Sequence, residues 1–213
     1  MFSIIQAAGW PIWPLLACSI VALALVIERF IQLRYAKVLP PGLFDEALAV
    51  SRDKLPSPEV IDHMANTSPL GSVLASGFQT LQEHPHCSES ELQGAMEAAG
   101  RRVEALLEKH LNALATIASV APLLGLLGTV IGMIDIFGSQ GSSSLSDMGG
   151  AGSNPVQLAQ GISIALYNTA FGLMVAIPSL MFWRYFRGQV DAQVLALEAD
   201  AERLLRHLNH LRK

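Results

Sequence analysis

The sequence predicts an all-α membrane protein, with three transmembrane helices that carry long cytoplasmic helical extensions. Three observations lead there. The 213-residue chain is 51% hydrophobic and 15% charged, against about 25% charged in an ordinary globular domain, and its mean hydropathy is +0.40. The missing charge is concentrated in three apolar runs, each long enough for the roughly 20 helical residues that cross a hydrocarbon core. All 14 lysines and arginines fall at the C-terminal end of the first span or in segments that three spans place on that same side of the membrane.

The first span runs from Trp10 to Leu33 and is uncharged through Ile27. No positive charge precedes it and no small-residue cleavage site follows it, so it reads as a retained anchor rather than a cleaved signal. The second runs from Leu111 to Ile134 and the third from Val156 to Trp183, both without a charge. Residues 1–28 and 135–155 contain no Lys or Arg, which puts the N-terminus and the stretch between the second and third spans outside. The aromatic residues agree, with Trp10 and Trp13 at one interface and Tyr35, Trp183 and Tyr185 at the other. The chain therefore divides into a periplasmic end plus first span (1–35), a cytoplasmic helical loop (36–110), the second span (111–137), a periplasmic loop (138–155), the third span (156–183) and a cytoplasmic C-terminal helix (184–213).

The same composition excludes other classes. A net charge of −4 offers no basic excess for nucleic acid. Two cysteines are too few for a disulfide framework. Cys18 falls in the membrane and Cys87 in reducing cytoplasm, so they are expected not to pair. The run His84, Pro85, His86, Cys87 lacks further ligands at useful spacing and reads as a solvated turn. No cofactor, metal or enzymatic active site is expected.

In the loop, prolines at 40, 41, 56, 58 and 69 break the early part into short pieces, with short helices possible over Asp45 to Arg52 and Ser68 to Glu83. Ser88 followed by Glu91 forms a capping box. Apolar positions at Leu92, Met96, Ala99, Val103 and Leu106 then mark one helical face. With no strong breaker before the second span, that span is expected to continue inward as one long helix. The tail repeats the pattern at Val190, Val194, Leu197, Ala201, Leu204, Leu208 and Leu211, with Glu202 and Arg206 placed for an i,i+4 pair. Two amphipathic extensions need cover, and the simplest cover is each other plus neighbouring copies.

Small and weakly polar residues mark the spans. In the second, Gly128 and Gly132 form a small-xxx-small pair, and Pro122, Gly125, Thr129 and Gly132 share a narrow stripe. In the third, Ala165, Thr169, Gly172 and Ala176 make a second stripe, Ser163 and Asn168 add polar groups, and Pro178 follows. Such stripes either pack helices or line a narrow path, since polar side chains in a membrane face protein or water rather than lipid. No Asp, Glu, Lys, Arg or His lies at the centre of a span, and Asp135 falls near the outer end of the second. A proton relay through this chain needs a titrating group from a partner.

The segment Ala121 to Met133, with its Pro-Leu-Leu-Gly-Leu-Leu-Gly-Thr-Val core, resembles the second-span signature of the MotA/TolQ/ExbB proton-channel family, most closely its ExbB and TolQ branch. Gly161 to Pro178 and the Glu28-Arg29 pair resemble further signatures of that family. The resemblance implies a homo-oligomer, a pentamer, around a single-span ExbD- or TolR-like partner that supplies a membrane aspartate. It implies that spans two and three line the pore, with Thr129 and Thr169 on the wall, and that the first span lies outside; Ser163 and Asn168 are expected to line the proton path with the threonines. It also implies an inner-membrane, proton-driven motor that in ExbB-type systems works through TonB on outer-membrane transport. One position departs: Ile164 stands where nearer relatives carry a glutamate. A TolQ-like envelope-maintenance role and a non-conducting scaffold are the alternatives.

Overall fold

The computed structural model describes residues 10–51, 55–143 and 155–211, and among these it contains helices, turns and no strand. The helices are α1 (Ile12–Gln32), α2 (Tyr35–Val38), α3 (Leu43–Val50), α4 (Pro58–Thr67), α5 (Pro69–Glu83), α6 (Glu89–Glu108), α7 (Leu111–Ser143) and α8 (Pro155–Leu211). They form two compact units. One takes the described residues up to Ile27 together with His110–Arg184; the other takes Glu28–Lys109 and the chain from Tyr185 onward. The N-terminal nine residues and most of the 138–155 loop lie outside the described residues.

The first unit holds three helical stretches long and apolar enough to cross a membrane. Only 22% of the most apolar stretch of α1 is buried within the chain. Ile20, Leu23, Leu126, Ile134, Met174 and Ile177 all stand exposed. In water this surface would be untenable, whereas lipid solvates it without penalty, provided backbone groups are satisfied inside helices. Pro122 and Pro178 sit inside α7 and α8 without ending them. The centre of the unit is a buried cluster of Leu15, Ala121 and Ala176, with Leu124, Phe171 and Val175 packed round it.

The second unit has an ordinary apolar core. Ser68 accepts a hydrogen bond from the Gly71 amide at 3.0 Å and caps α5 behind Pro69. A methyl group on Gly71 would collide with the Met64 carbonyl, so glycine is what lets α4 and α5 meet there. Gly77 on α5 likewise leaves room for Met96 of α6, with Leu208 of α8 beside it. The capping box forms: Ser88 Oγ accepts from the Glu91 amide at 3.2 Å and the Glu91 carboxylate accepts from the Ser88 amide at 2.6 Å. Val190, Leu197, Leu204 and Leu208 are buried, so their own chain covers the tail stripe.

Three local expectations are corrected. The helix that starts after Ser88 and the second span are not one continuous helix, because α6 stops at Glu108 and α7 starts at Leu111. Lys109 is extended (ψ 134°) and His110 takes the left-handed region at φ +69°. The face of α6 closes on Leu107 rather than Leu106, which is 66% exposed. A period of 3.6 residues admits a step of four as well as three. The tail's ion pairs join Arg187 to Glu108 and Asp191, and Arg203 to Asp200. Among the described residues Glu202 and Arg206 do not pair.

Candidate functional site

Within the first unit α7 and α8 run antiparallel in a close seam built on missing side chains. A methyl group placed on Gly125 would stand 2.7 Å from the Asn168 carbonyl oxygen and 3.0 Å from the Thr169 Cα. One on Gly172 would stand 2.6 Å from the Ala121 carbonyl oxygen. Gly128 receives the Asn168 side chain, Gly132 faces the Ala165 methyl, and Gly161 faces Ile136. Without Cβ atoms the backbones approach closely enough for dispersion contacts to hold the pair, the main attraction available between helices in lipid.

The seam gathers Gly125, Gly128, Gly132, Gly172 and Asn168. Asn168 is 2% exposed and lies inside the seam rather than on an open wall. Pro122 is half-buried, whereas Ser163 and Pro178 are exposed. Thr129 and Thr169 are both half-buried at the seam's edge. The side chain of Ile164 lies outside the described residues.

The position of the two threonines follows from helical geometry. At about 100° per residue, each lies roughly 70° round its helix from the seam, in the same rotational sense. Because the helices are antiparallel, equal rotation brings both to one flank. Leu124, Phe171 and Val175 lie roughly 50–90° the other way, and they pack with Leu15 of α1. So α1 covers one flank of the α7–α8 pair, and Thr129 and Thr169 share the other. The Thr129 hydroxyl donates to the Leu126 carbonyl at 2.7 Å, leaving oxygen lone pairs free to accept from an incoming acid.

In the second unit the structure adds a residue whose role the sequence only hinted at. Arg29, in the last turn of α1, is 1% exposed. Its guanidinium donates to the Leu107 carbonyl at 3.1 Å, to Glu28 at 3.0 Å and to Gln32 at 2.6 Å. It thereby satisfies a carbonyl that the break after Glu108 deprives of a helical partner. Gln193 of α8 donates to the Leu33 carbonyl at 2.8 Å, closing the other side of the same helix end. The Glu28-Arg29 pair was visible in the sequence; its target, 78 residues away, was not.

Residues 65–199 match the model of the MotA/TolQ/ExbB proton channel family. The chain belongs to that family. It is 31% identical over 207 residues to biopolymer transport protein exbB1 of Vibrio cholerae, covering 96% of this chain and 82% of that protein. It is 30% identical over 182 residues to a putative biopolymer transport protein ExbB-like 3 of Synechocystis, covering 85% and 82%. As a MotA/TolQ/ExbB member the chain is a multi-pass inner-membrane subunit of a proton-channel family rather than of an enzyme family. Membership implies a membrane complex with ExbD-like partners. The matched region takes in all of α7 and α8 as far as residue 199, which includes the seam.

Proposed function

We propose that this chain forms the outer ring of a proton-driven motor, a homo-oligomer, a pentamer by family, around an ExbD-like single-span partner. The flank bearing Thr129 and Thr169 faces that partner and presents hydroxyls to its membrane aspartate. One observation carries this reading: both threonines lie on the flank that α1 leaves uncovered, at the edge of a seam too tight to admit anything between the helices. A hydroxyl can accept from a carboxylic acid and donate to a carboxylate, so it serves both protonation states without titrating near neutral pH. The N-terminus and the 138–155 loop face the periplasm, and the loop 36–110 and the C-terminal helix face the cytoplasm. The relatives' naming as biopolymer transport proteins supports a client of the TonB type; a TolQ-like envelope role is the alternative.

A second reading is a non-conducting scaffold. The Thr129 hydrogen bond to Leu126 favours it, because it satisfies the hydroxyl inside its own helix. Disulfide cross-linking separates the two. With Cys18 and Cys87 replaced, Thr129→Cys and Thr169→Cys should each cross-link to a cysteine placed beside the partner's membrane aspartate. Ile20→Cys, on the exposed face of α1, should not. Cross-linking at position 20 and not at 129 or 169 would reverse the assignment of the inner face.

A further inference from the structure

We propose that the groove between α6 and the last part of α8 is a docking site for a basic amphipathic helix of another protein. The groove lies wholly within the second unit and encloses about 330 Å³. That is the lower end of the range for small-molecule pockets, about 300–1,000 Å³. It suits a few aliphatic side chains better than a cofactor. Its floor is apolar, formed by Met96, Val194, Leu197, Ala201 and Leu205, and Gly100 leaves open space where a side chain would otherwise sit.

Its rim is acidic on both sides. Glu97 and Glu104 stand on α6, and Glu198 and Glu202 on α8. The rim's one cation, Arg101, lies 3.6 Å from Glu97. Among the described residues Glu104, Glu198 and Glu202 form no ion pair. An apolar trough between two rows of carboxylates is complementary to a helix with an aliphatic stripe flanked by Lys or Arg. Helix-in-groove recognition reads such anchors at i, i+3, i+4 and i+7.

A second copy of this chain is not the occupant, because its amphipathic helices arrive with their apolar stripes already covered: Met96, Val103 and Leu107 of α6 and Val190, Leu197, Leu204 and Leu208 of α8 are buried within their own chain. A basic segment brings the sign opposite to the rim's, and its binding should weaken as salt shortens the Debye length.

The test uses the full chain in nanodiscs of zwitterionic lipid, with empty nanodiscs subtracted. The probe is a short fluorescent peptide of Lys and Leu at helical spacing; its control replaces Lys with Glu. The Lys peptide should bind saturably and more weakly at high salt, and the Glu peptide at least about tenfold less tightly. The combined E104Q, E198Q and E202Q variant should weaken binding by about tenfold. Gly100→Trp should do the same. Nothing stands within 4 Å of a Cβ at Gly100, so the indole enters the groove rather than the chain's own core. Circular dichroism and the melting temperature should be preserved. Unchanged binding to either variant would overturn the proposal. So would a change in the mass of the purified assembly caused by Gly100→Trp, which would assign the groove to a second copy.

Discussion

The α7–α8 seam makes a graded prediction for glycine-to-alanine substitution. Adding one methyl to Gly125 puts it 2.7 Å from a carbonyl oxygen and 3.0 Å from a Cα, both backbone atoms that no rotamer can move. Overpacking of that kind costs about 1–3 kcal/mol, and rigid neighbours place it at the upper end. Alanine returns about 1 kcal/mol of helix propensity over glycine. The net loss is therefore about 2 kcal/mol, or roughly 4–8 °C in melting temperature for a chain of this size. Gly172→Ala meets the Ala121 carbonyl oxygen at 2.6 Å and should fall in the same class. At Gly132 the new methyl would meet the Ala165 methyl at 3.4 Å and its Cα at 3.8 Å, both without a clash, and at Gly138 nothing within 4 Å. Both of those should be neutral or stabilising. Gly128→Ala meets the Asn168 side chain at 2.8 Å, which can yield, and should fall between. Because positions 125 and 172 touch, their double substitution should not be additive. The assay is thermal unfolding of the detergent-solubilised chain followed by size exclusion. Equal shifts for Gly125→Ala and Gly132→Ala would refute the close-approach reasoning.

Three further outcomes follow from the same structure. Arg29→Lys should fail to restore the stability lost in Arg29→Leu, because one ammonium cannot reach three acceptors; each should lose at least the charged hydrogen bond to Leu107, about 1.5–3 kcal/mol. Arg187→Ala, at a 44% exposed side chain, should cost no more than about 1 kcal/mol, and amide exchange near Leu107 separates the two. Leu204→Ala, at a position with no exposed surface, should cost about 2–5 kcal/mol, while Leu195→Ala, at 68% exposure, should stay within about 0.5 kcal/mol; equal effects would contradict the observed tail register. Val60→Cys should react with a membrane-impermeant thiol reagent only after the inner membrane is opened, and labelling of intact spheroplasts would reverse the proposed orientation.

Much of the fold could be read from local pattern. The spans appear as charge-free runs, because lipid penalises charge at every position. The capping box at Ser88 and Glu91 and the tail stripe from Val190 to Leu208 appear because both depend on residues three or four apart. What was not legible depends on distant partners. Neither Lys109 nor His110 is a helix breaker by type, yet the helix breaks there. The carbonyl exposed nearby is taken up by Arg29 from α1, and Arg187 from α8 holds Glu108. Asn168 has the chemistry of a pore-wall residue, but its side chain fills the slot left by Gly128, a pairing across two helices that no single-segment pattern records. The stripe containing Gly125 and Thr129 could be read either as packing surface or as path lining. In the structure it divides: the glycines make the seam and the threonine stands at its edge.

The central claim is that Thr129 and Thr169 act on a proton carried by a partner rather than on helix packing. The most direct measurement is proton flux through the chain reconstituted with its ExbD-like partner in liposomes, comparing wild type with Thr129→Val and Thr169→Val at matched protein levels. Valine keeps most of the threonine volume and removes the hydroxyl, so assembly mass should be unchanged. The account predicts that each substitution slows proton flux strongly and that the pair together abolishes it. Flux near wild type in the double variant, with the assembly intact, would contradict it and leave the threonines as packing residues of a scaffold.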